Sequence, residues 1–311
     1  MKQNVVRHVI FPLLAALIWG TAFVAQSICA RYLPPFAVNA LRSAIAVAVL
    51  TPLSLGFDAL RARNGERAKT DWKRLALGSL VCGLFLAAGT NLQQAGLADT
   101  SAGKAGFITA FYVVLVPVFG IFLKKPSNLR IWISIVLVAL GLYLLCIPAG
   151  ERFALERGDT FLILCAVFYA LQVLSVDRHA QRVDGLKLSI GQFLVAGTIS
   201  ALLSVCFERG AWSLPGLRRC VLPLLYIGVM SSGVGYTLQI LSQKGGNPTL
   251  VSVLFSLESV FSVLAGAVVL GDRLSGREYL GCAVMFCAVI LAQLPGGKGT
   301  ENGSTGGFYE A

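Results

Sequence analysis

Ten apolar stretches of roughly 16 to 23 residues cover most of this 311-residue chain, and almost no charge falls inside them. A helix needs about 20 apolar residues to cross the ~30 Å hydrocarbon core of a bilayer. Lipid offers no partner to backbone N–H and C=O groups, so a spanning segment must satisfy them within itself, as a helix does. The pattern predicts spans at about 9–30, 36–57, 75–97, 102–123, 131–149, 160–176, 188–207, 220–242, 248–270 and 278–294. The chain reads as an all-α membrane protein whose solvent is the lipid bilayer.

Composition agrees. At 56% hydrophobic and 13% charged, with a mean hydropathy of +0.75, the chain carries about half the charge fraction of a soluble domain. Its connecting segments are too short to hold a sizeable soluble insertion. A net charge of +11 would suggest nucleic acid in a soluble protein. Here the basic residues lie between the hydrophobic runs, where they set orientation, and no nucleic-acid partner is expected. With the N-terminus in the cytoplasm, 16 of the 26 Lys and Arg face the cytoplasm, 9 face outward, and Arg42 lies inside the second span. The positive-inside rule therefore places both termini on the cytoplasmic side of a bacterial-type cytoplasmic membrane. Trp72, Trp132 and Trp212 fall at span ends, as interfacial anchors do, whereas Trp19 lies near the middle of the first span.

The first apolar run is long enough to span and lacks a small-residue cleavage site, so it reads as a first helix rather than a signal peptide. The eight cysteines form no CxxC pair and no zinc-like spacing. They are expected to be small buried hydrophobes, and no metal or cofactor is implied. The segment from 295 to 311 has the composition of a flexible cytoplasmic tail.

The chain also repeats itself. A shift of 150 superposes the region of Trp19 to Gln26 on Tyr169 to Val176, and Leu41-Arg42 on Gly191-Gln192. A shift of about 146 sets Gly89-Thr90-Asn91-Leu92-Gln93 on Gly235-Tyr236-Thr237-Leu238-Gln239. Residues 1–8 then precede two five-span halves, 9–149 and 150–294. Five is odd, so the second half enters the membrane from the opposite side. Such inverted-topology repeats build a central cavity between two gates.

Four stretches resemble a known family: ALIWGTAFVAQ, NALRSAIAVAVLTPLSL, TNLQQAGLADTSAGKAGFITAFYVVLVPVFG and LFSLESVFSVLAGAVVLGDRLSGREYLG. Together they are similar to two tandem EamA domains of the drug/metabolite transporter superfamily, over about 11–147 and 160–294. The resemblance implies ten helices, cytoplasmic termini, a cavity between the halves and secondary transport of small organic solutes. One departure stands out. Where the family commonly reads SLEPVF, this chain has Ser259, which brings the expected bend of the ninth span into question.

Several side chains sit at depths where they are costly. Glu258 lies close to the bilayer midplane, where a carboxylate costs roughly 2.5 kcal/mol or more. It is either a proton-coupling or amine-binding group or, the commoner role, an interhelical hydrogen-bonding residue. Arg42, about a third of the way down its span, either meets an anionic solute or, more commonly for arginine, snorkels to the interface or caps backbone carbonyls. Lys104 is expected at the rim. Trp19, Phe23, Gln26, Asn91, Gln94, Tyr112, Tyr169, Gln172, Tyr236 and Gln239 form a polar and aromatic set suited to a neutral or zwitterionic organic molecule. The ordinary alternative for each is glue between helices. Gly233, Gly235 and Gly89 suit close packing first and local unwinding second.

The expected function is movement of a small organic metabolite, an amino acid, amine or similar compound, by alternating access, with protons as a candidate driving ion. A lipid or lipid-precursor flippase is the alternative. A membrane-embedded enzyme is disfavoured by the lack of HExxH, GxSxG or a phosphate-binding loop. Oligomeric state is left open, a monomer included.

Overall fold

A computed structural model of the chain describes residues 5–65, 70–99, 102–123, 128–147, 157–211, 213–270 and 274–294. Trp212, the side chain of Lys104 and the tail from 295 lie outside them. Among the described residues the structure is helical, without strands. Ten membrane-type helices follow in order: α1 (Val6–Ala30), α2 (Pro35–Arg63), α3 (Trp72–Asp99), α4 in two parts (α4a, Ala102–Ala110; α4b, Tyr112–Phe122), α5 (Leu129–Cys146), α6 (Arg157–Ala180), α7 (Gly185–Phe207), α8 (Leu214–Gln243), α9 in two parts (α9a, Pro248–Phe255; α9b, Glu258–Leu270) and α10 (Gly276–Gln293). Among the described residues nine are long and apolar enough to cross a membrane by length and composition, and α5 is the shorter tenth. The protein is an integral membrane protein.

Several helices outrun their apolar stretch. The second was expected to end near 57 but continues to Arg63, because Asp58, Arg61 and Arg63 hold helical geometry once outside the hydrocarbon. It stops at Asn64 and Gly65, the latter at φ +79°, a left-handed terminus that glycine adopts without a Cβ penalty. Four of the cysteines, Cys29, Cys82, Cys165 and Cys220, are buried as expected, whereas Cys206 and Cys287 are exposed on the outer face of the bundle. There the surrounding lipid is as apolar as a protein core, so a small hydrophobe gains nothing by turning inward.

Helix pairing has a regular pattern. Helix α3 packs on α6 and α7, and α8 packs on α1 and α2; α4 packs on α6, and α9 on α1. Each pair maps onto its counterpart when the halves are exchanged. The pairs α2·α7 and α5·α10 map onto themselves. Close approach comes from small residues. A Cβ on Gly141 would lie 2.5 Å from Met285, and one on Gly281 would lie 2.9 Å from the Gly141 carbonyl. Without a hydrophobic force between helices in lipid, this backbone proximity is what holds α5 to α10.

The α2·α7 pair is tied at both ends. At one end Glu208, just past α7, accepts from the backbone N–H of Phe36 (2.8 Å) and Ala37 (2.9 Å) at the start of α2. At the other, Lys187 pairs with Asp58 (2.9 Å) and Arg61 with Asp184 (3.0 Å). Asp58 and Glu208 are themselves related by the shift of 150. Asp184 also caps α7, accepting from Leu186 and Lys187 N–H. Burial alone would raise its carboxyl. The hydrogen bond from Arg61 and those from the two amides outweigh that and hold it below the ordinary carboxylate range.

Asp184→Ala should therefore lower the thermal unfolding midpoint in detergent, at a cost of about 1 kcal/mol for the lost cap. Asp184→Asn should cost less. A carboxyl whose pKa falls on folding stabilises fully above the unfolded value of about 4 and loses that stabilisation as pH drops through the folded value. The gap between wild type and the Asn variant should then close in acid. An Ala variant as stable as wild type at pH 7 would rule out the cap.

A candidate solute cavity at interrupted helices

Three helices break in mid-span, and all three breaks reach one place. In α4 the interruption is at Phe111, and in α9 at Ser256-Leu257. The offset between Phe111 and Leu257 is the same 146 that relates α3 to α8. The bend of α9 survives without the family's proline: Ser256 Oγ donates to the Val253 carbonyl at 2.6 Å, replacing by a side-chain bond what proline would impose by removing a donor. In α8 the residues Ile227–Gly235 form a π-helix between two α-helical parts, a departure that is concentrated at functional sites. The helix thus departs from α geometry at Gly233 and Gly235, where packing was the first expectation and unwinding the second, whereas α3 stays α-helical at Gly89. Packing holds too: a Cβ on Gly235 would lie 2.6 Å from Trp19 Nε1, and one on Gly89 2.8 Å from the Tyr169 ring. Trp19 and Tyr169 are repeat counterparts, as are the two glycines.

Between these breaks lies a cavity. Counted out to its open mouth, its volume is about 500 Å³. Its wall contains ten of the twelve residues singled out from sequence: Trp19, Phe23, Gln26, Arg42, Tyr112, Tyr169, Gln172, Tyr236, Gln239 and Glu258. Gln93, Thr109, Ser231 and Phe255 complete it. Tyr112 and Glu258 hold equivalent places, as the first residues of α4b and α9b.

Rings form most of the wall. Trp19 stands 4.9 Å from Tyr236 and 5.1 Å from Phe255, centroid to centroid. Tyr112 meets Tyr169 edge-on at 6.3 Å. The Trp19 Nε1–H donates to the Ser231 carbonyl (3.2 Å), and Tyr169 OH donates to Gln93 (3.0 Å). Gln239 donates to Gln172 (2.9 Å), which donates to Gln192 (3.2 Å). Mid-span tryptophan is explained by this cavity rather than by an interface.

One expectation about charge is corrected. Arg42 does not snorkel and does not cap carbonyls. It is 4% exposed, and its guanidinium donates to Ser232 Oγ (2.8 Å), Ser231 Oγ (2.9 Å) and Gln26 Oε1 (3.3 Å). These neutral acceptors make the buried position tenable. Glu258 is 7% exposed, and among the described residues its carboxylate makes none of the hydrogen bonds or ion pairs that an interhelical role would use. Arg42 and Glu258 do not pair with each other.

Asn91 and Gln94 are not on the wall. Asn91 exchanges hydrogen bonds with Asn39 and Ser200 (2.9 to 3.2 Å), joining α3 to α2 and α7. Gln94 is 1% exposed and not part of the cavity wall, and among the described residues its amide has no partner. Of the residues that sequence reasoning missed, Gln93 belongs to the same polar run, and the Gln93–Gln239 repeat match was the signal for it. Ser231 and Thr109 look like ordinary helix hydroxyls, and Phe255 like any apolar residue.

Gly235→Ala should displace the Trp19 ring and break its bond to Ser231, costing about 1 to 3 kcal/mol in stability. Red-shifted or quenched Trp19 fluorescence, measured with the other tryptophans changed to Phe, would show it. An unaltered emission spectrum would mean that the ring does not rest on this glycine.

Comparison with known proteins agrees with this architecture. Two segments, 7–147 and 156–294, match the EamA-like transporter family. An uncharacterized transporter of Archaeoglobus fulgidus is 27% identical, covering 90% of this chain and 84% of its own. A chloroplastic WAT1-related protein of Arabidopsis thaliana is 28% identical, over 90% of this chain and 68% of its own. The inner membrane transporter YedA of Escherichia coli is 24% identical over 92% of each. One solved crystal structure superposes with a TM-score of 0.74 at 23% identity, covering 92% of this chain and 96% of that one, a likeness of fold.

Proposed function

The chain belongs to the EamA-like transporter family and is a membrane transporter rather than an enzyme; from that premise we propose that it moves a small organic metabolite across the cytoplasmic membrane through this cavity. The observation that carries the reading is the convergence of ten candidate side chains on one cavity at three interrupted helices. Non-helical backbone at membrane depth is tolerated where it lines a cavity, and interruptions in corresponding helices of two halves mark transporter sites. The exchangeable helix pairs support two inverted five-helix repeats rocking around that site. Charge in the loops supports cytoplasmic termini.

The solute class follows from the wall. Rings offer stacking faces, amides offer hydrogen bonds, and two buried charges offer poles, which suits an amino acid, an amine or a similar metabolite. Glu258 is the proposed coupling residue, because a carboxylate with no protein partner among the described residues can take and release a proton or a cation.

Purified protein should be stabilised by its solute in a panel of amino acids, polyamines, quaternary amines, nucleosides and cofactor precursors. A ligand at 100 times its Kd contributes about 2.7 kcal/mol. The same compound should exchange across proteoliposomes. Glu258→Gln should abolish accumulation driven by a pH gradient while leaving expression and folding intact, and Trp19→Ala should weaken affinity about two- to tenfold. Continued proton-driven accumulation by the Gln variant would end the coupling role. Flipping of a fluorescent lipid, with no flux of any panel compound, would replace the metabolite reading.

A further inference from the structure

The two poles of the cavity differ in what they lack. A guanidinium has five N–H donors, and Arg42 spends three of them on Ser232, Ser231 and Gln26. Two donors remain at a residue on the cavity wall. The opposite pole is short of donors. Among the described residues the Glu258 carboxylate makes no hydrogen bond, Gln239 Oε1 has no partner, and Thr109 Oγ1 accepts from none, its own hydroxyl turning to the Cys165 sulfur. Gln239 and Thr109 are each 1% exposed, so no bulk water meets these acceptors.

The poles are also held apart. Trp19 reaches both: its N–H bonds Ser231, the residue whose hydroxyl holds Arg42, and its ring rests on Phe255, just before the α9 break and Glu258. Tyr236 lies against Trp19 and within electrostatic reach of both charges. Trp19 thus stands along the way from the anion-seeking to the cation-seeking pole.

We infer that the cavity is built for a primary-ammonium zwitterion with separated charges, its anionic group on Arg42, its ammonium on Glu258 and Thr109, and its body along Trp19 and Tyr236. The inference rests on the cavity being the solute site proposed above. A singly charged solute would answer one pole and leave the other unpaired in a low-dielectric interior, whereas a zwitterion answers both and brings no net charge into the membrane. An ammonium supplies three N–H donors to the unfilled acceptors. A quaternary amine supplies none. A compound with both charges on neighbouring atoms cannot extend past the Trp19 ring to both poles.

Isomers give the test. Full-length protein is titrated with ω-amino acids of three to eight carbons, including 6-aminohexanoate, and with its α-amino isomer norleucine, with hexanoate, 6-aminohexanamide and the N-trimethylated form of 6-aminohexanoate. Thermal stabilisation and proteoliposome counterflow are read for each. At least one ω-amino acid should bind about tenfold or more tightly than norleucine and than either singly charged analogue, and trimethylation should remove that advantage. In Glu258→Gln the preference of the zwitterion over hexanoate should collapse to about one, a ratio that a mere folding defect does not change. Arg42→Lys should keep part of the binding that Arg42→Gln loses. Preference for norleucine, for a singly charged probe or for the trimethylated compound overturns this inference alone, because counterflow of that probe keeps the transport reading. No binding by any ω-amino acid overturns it as well. Only the absence of flux across the whole broader panel would remove the transport reading with it.

Discussion

Unsatisfied backbone in lipid costs several kcal/mol per group, and this single constraint explains where the chain is allowed to be irregular. Ten helices satisfy their own N–H and C=O groups. The exceptions, at Phe111, at Ile227–Gly235 and at Ser256-Leu257, adjoin one cavity, whose wall takes Tyr112, Ser231 and Glu258 from them or from beside them. There the freed groups find protein partners. The Ser256 hydroxyl takes the Val253 carbonyl, Thr237 takes the Gly233 carbonyl at 2.7 Å, and the Trp19 indole takes the Ser231 carbonyl. The cavity and the breaks are thus one feature. Without polar side chains at that depth the breaks could not be tolerated, and without the breaks the side chains would have no space to line.

The same constraint governs what could be read from the chain. Span number and order were legible because hydropathy alone decides them, and the helix ends were not, because polar residues continue a helix in water at no penalty. Depth was legible too, so Trp19, Arg42 and Glu258 stood out. Facing was not. Asn91, Gln93 and Gln94 lie within one turn of α3 at similar depth; rotation about the axis sends Gln93 to the cavity, Asn91 to Ser200 and Gln94 to neither. A weak hydropathy asymmetry on α3 left no stripe from which to infer that rotation. Arg42 shows a second limit. Its burial depends on Ser231 and Ser232, nearly two hundred residues away, whose hydroxyls carry no mark of that role in the sequence. The loss of the α9 proline was misleading for a similar reason, since a serine three residues earlier makes the break by another bond.

Packing and charge divide the labour between helices. At α5·α10 the backbones approach through Gly141 and Gly281, with Arg130 donating to the Leu294 carbonyl and the Arg277 guanidinium over the Tyr143 ring towards the ends. At α2·α7, carboxylates close both ends, with Glu208 on the amides of α2 and Asp58 on Lys187 of α7. Each carboxylate lies near a helix N-terminus, where the exposed N–H groups and the macrodipole favour negative charge. These ties sit at opposite ends of one helix pair and leave its middle to Arg42 and the cavity.

The exchange of halves makes the chemistry of that cavity intelligible. Trp19 answers to Tyr169 and Gln93 to Gln239, matched pairs that line both sides with rings and amides. The two charges break the match. Arg42 answers to Gln192, and Glu258 to Tyr112, a neutral residue in each case. A charge repeated in both halves would set two like charges into one low-dielectric space, where their repulsion adds to the desolvation of each. Placing one arginine in the first half and one glutamate in the second avoids that repulsion. It also gives an otherwise near-symmetric cavity a direction, so that a solute with two unlike ends has one preferred way to lie in it.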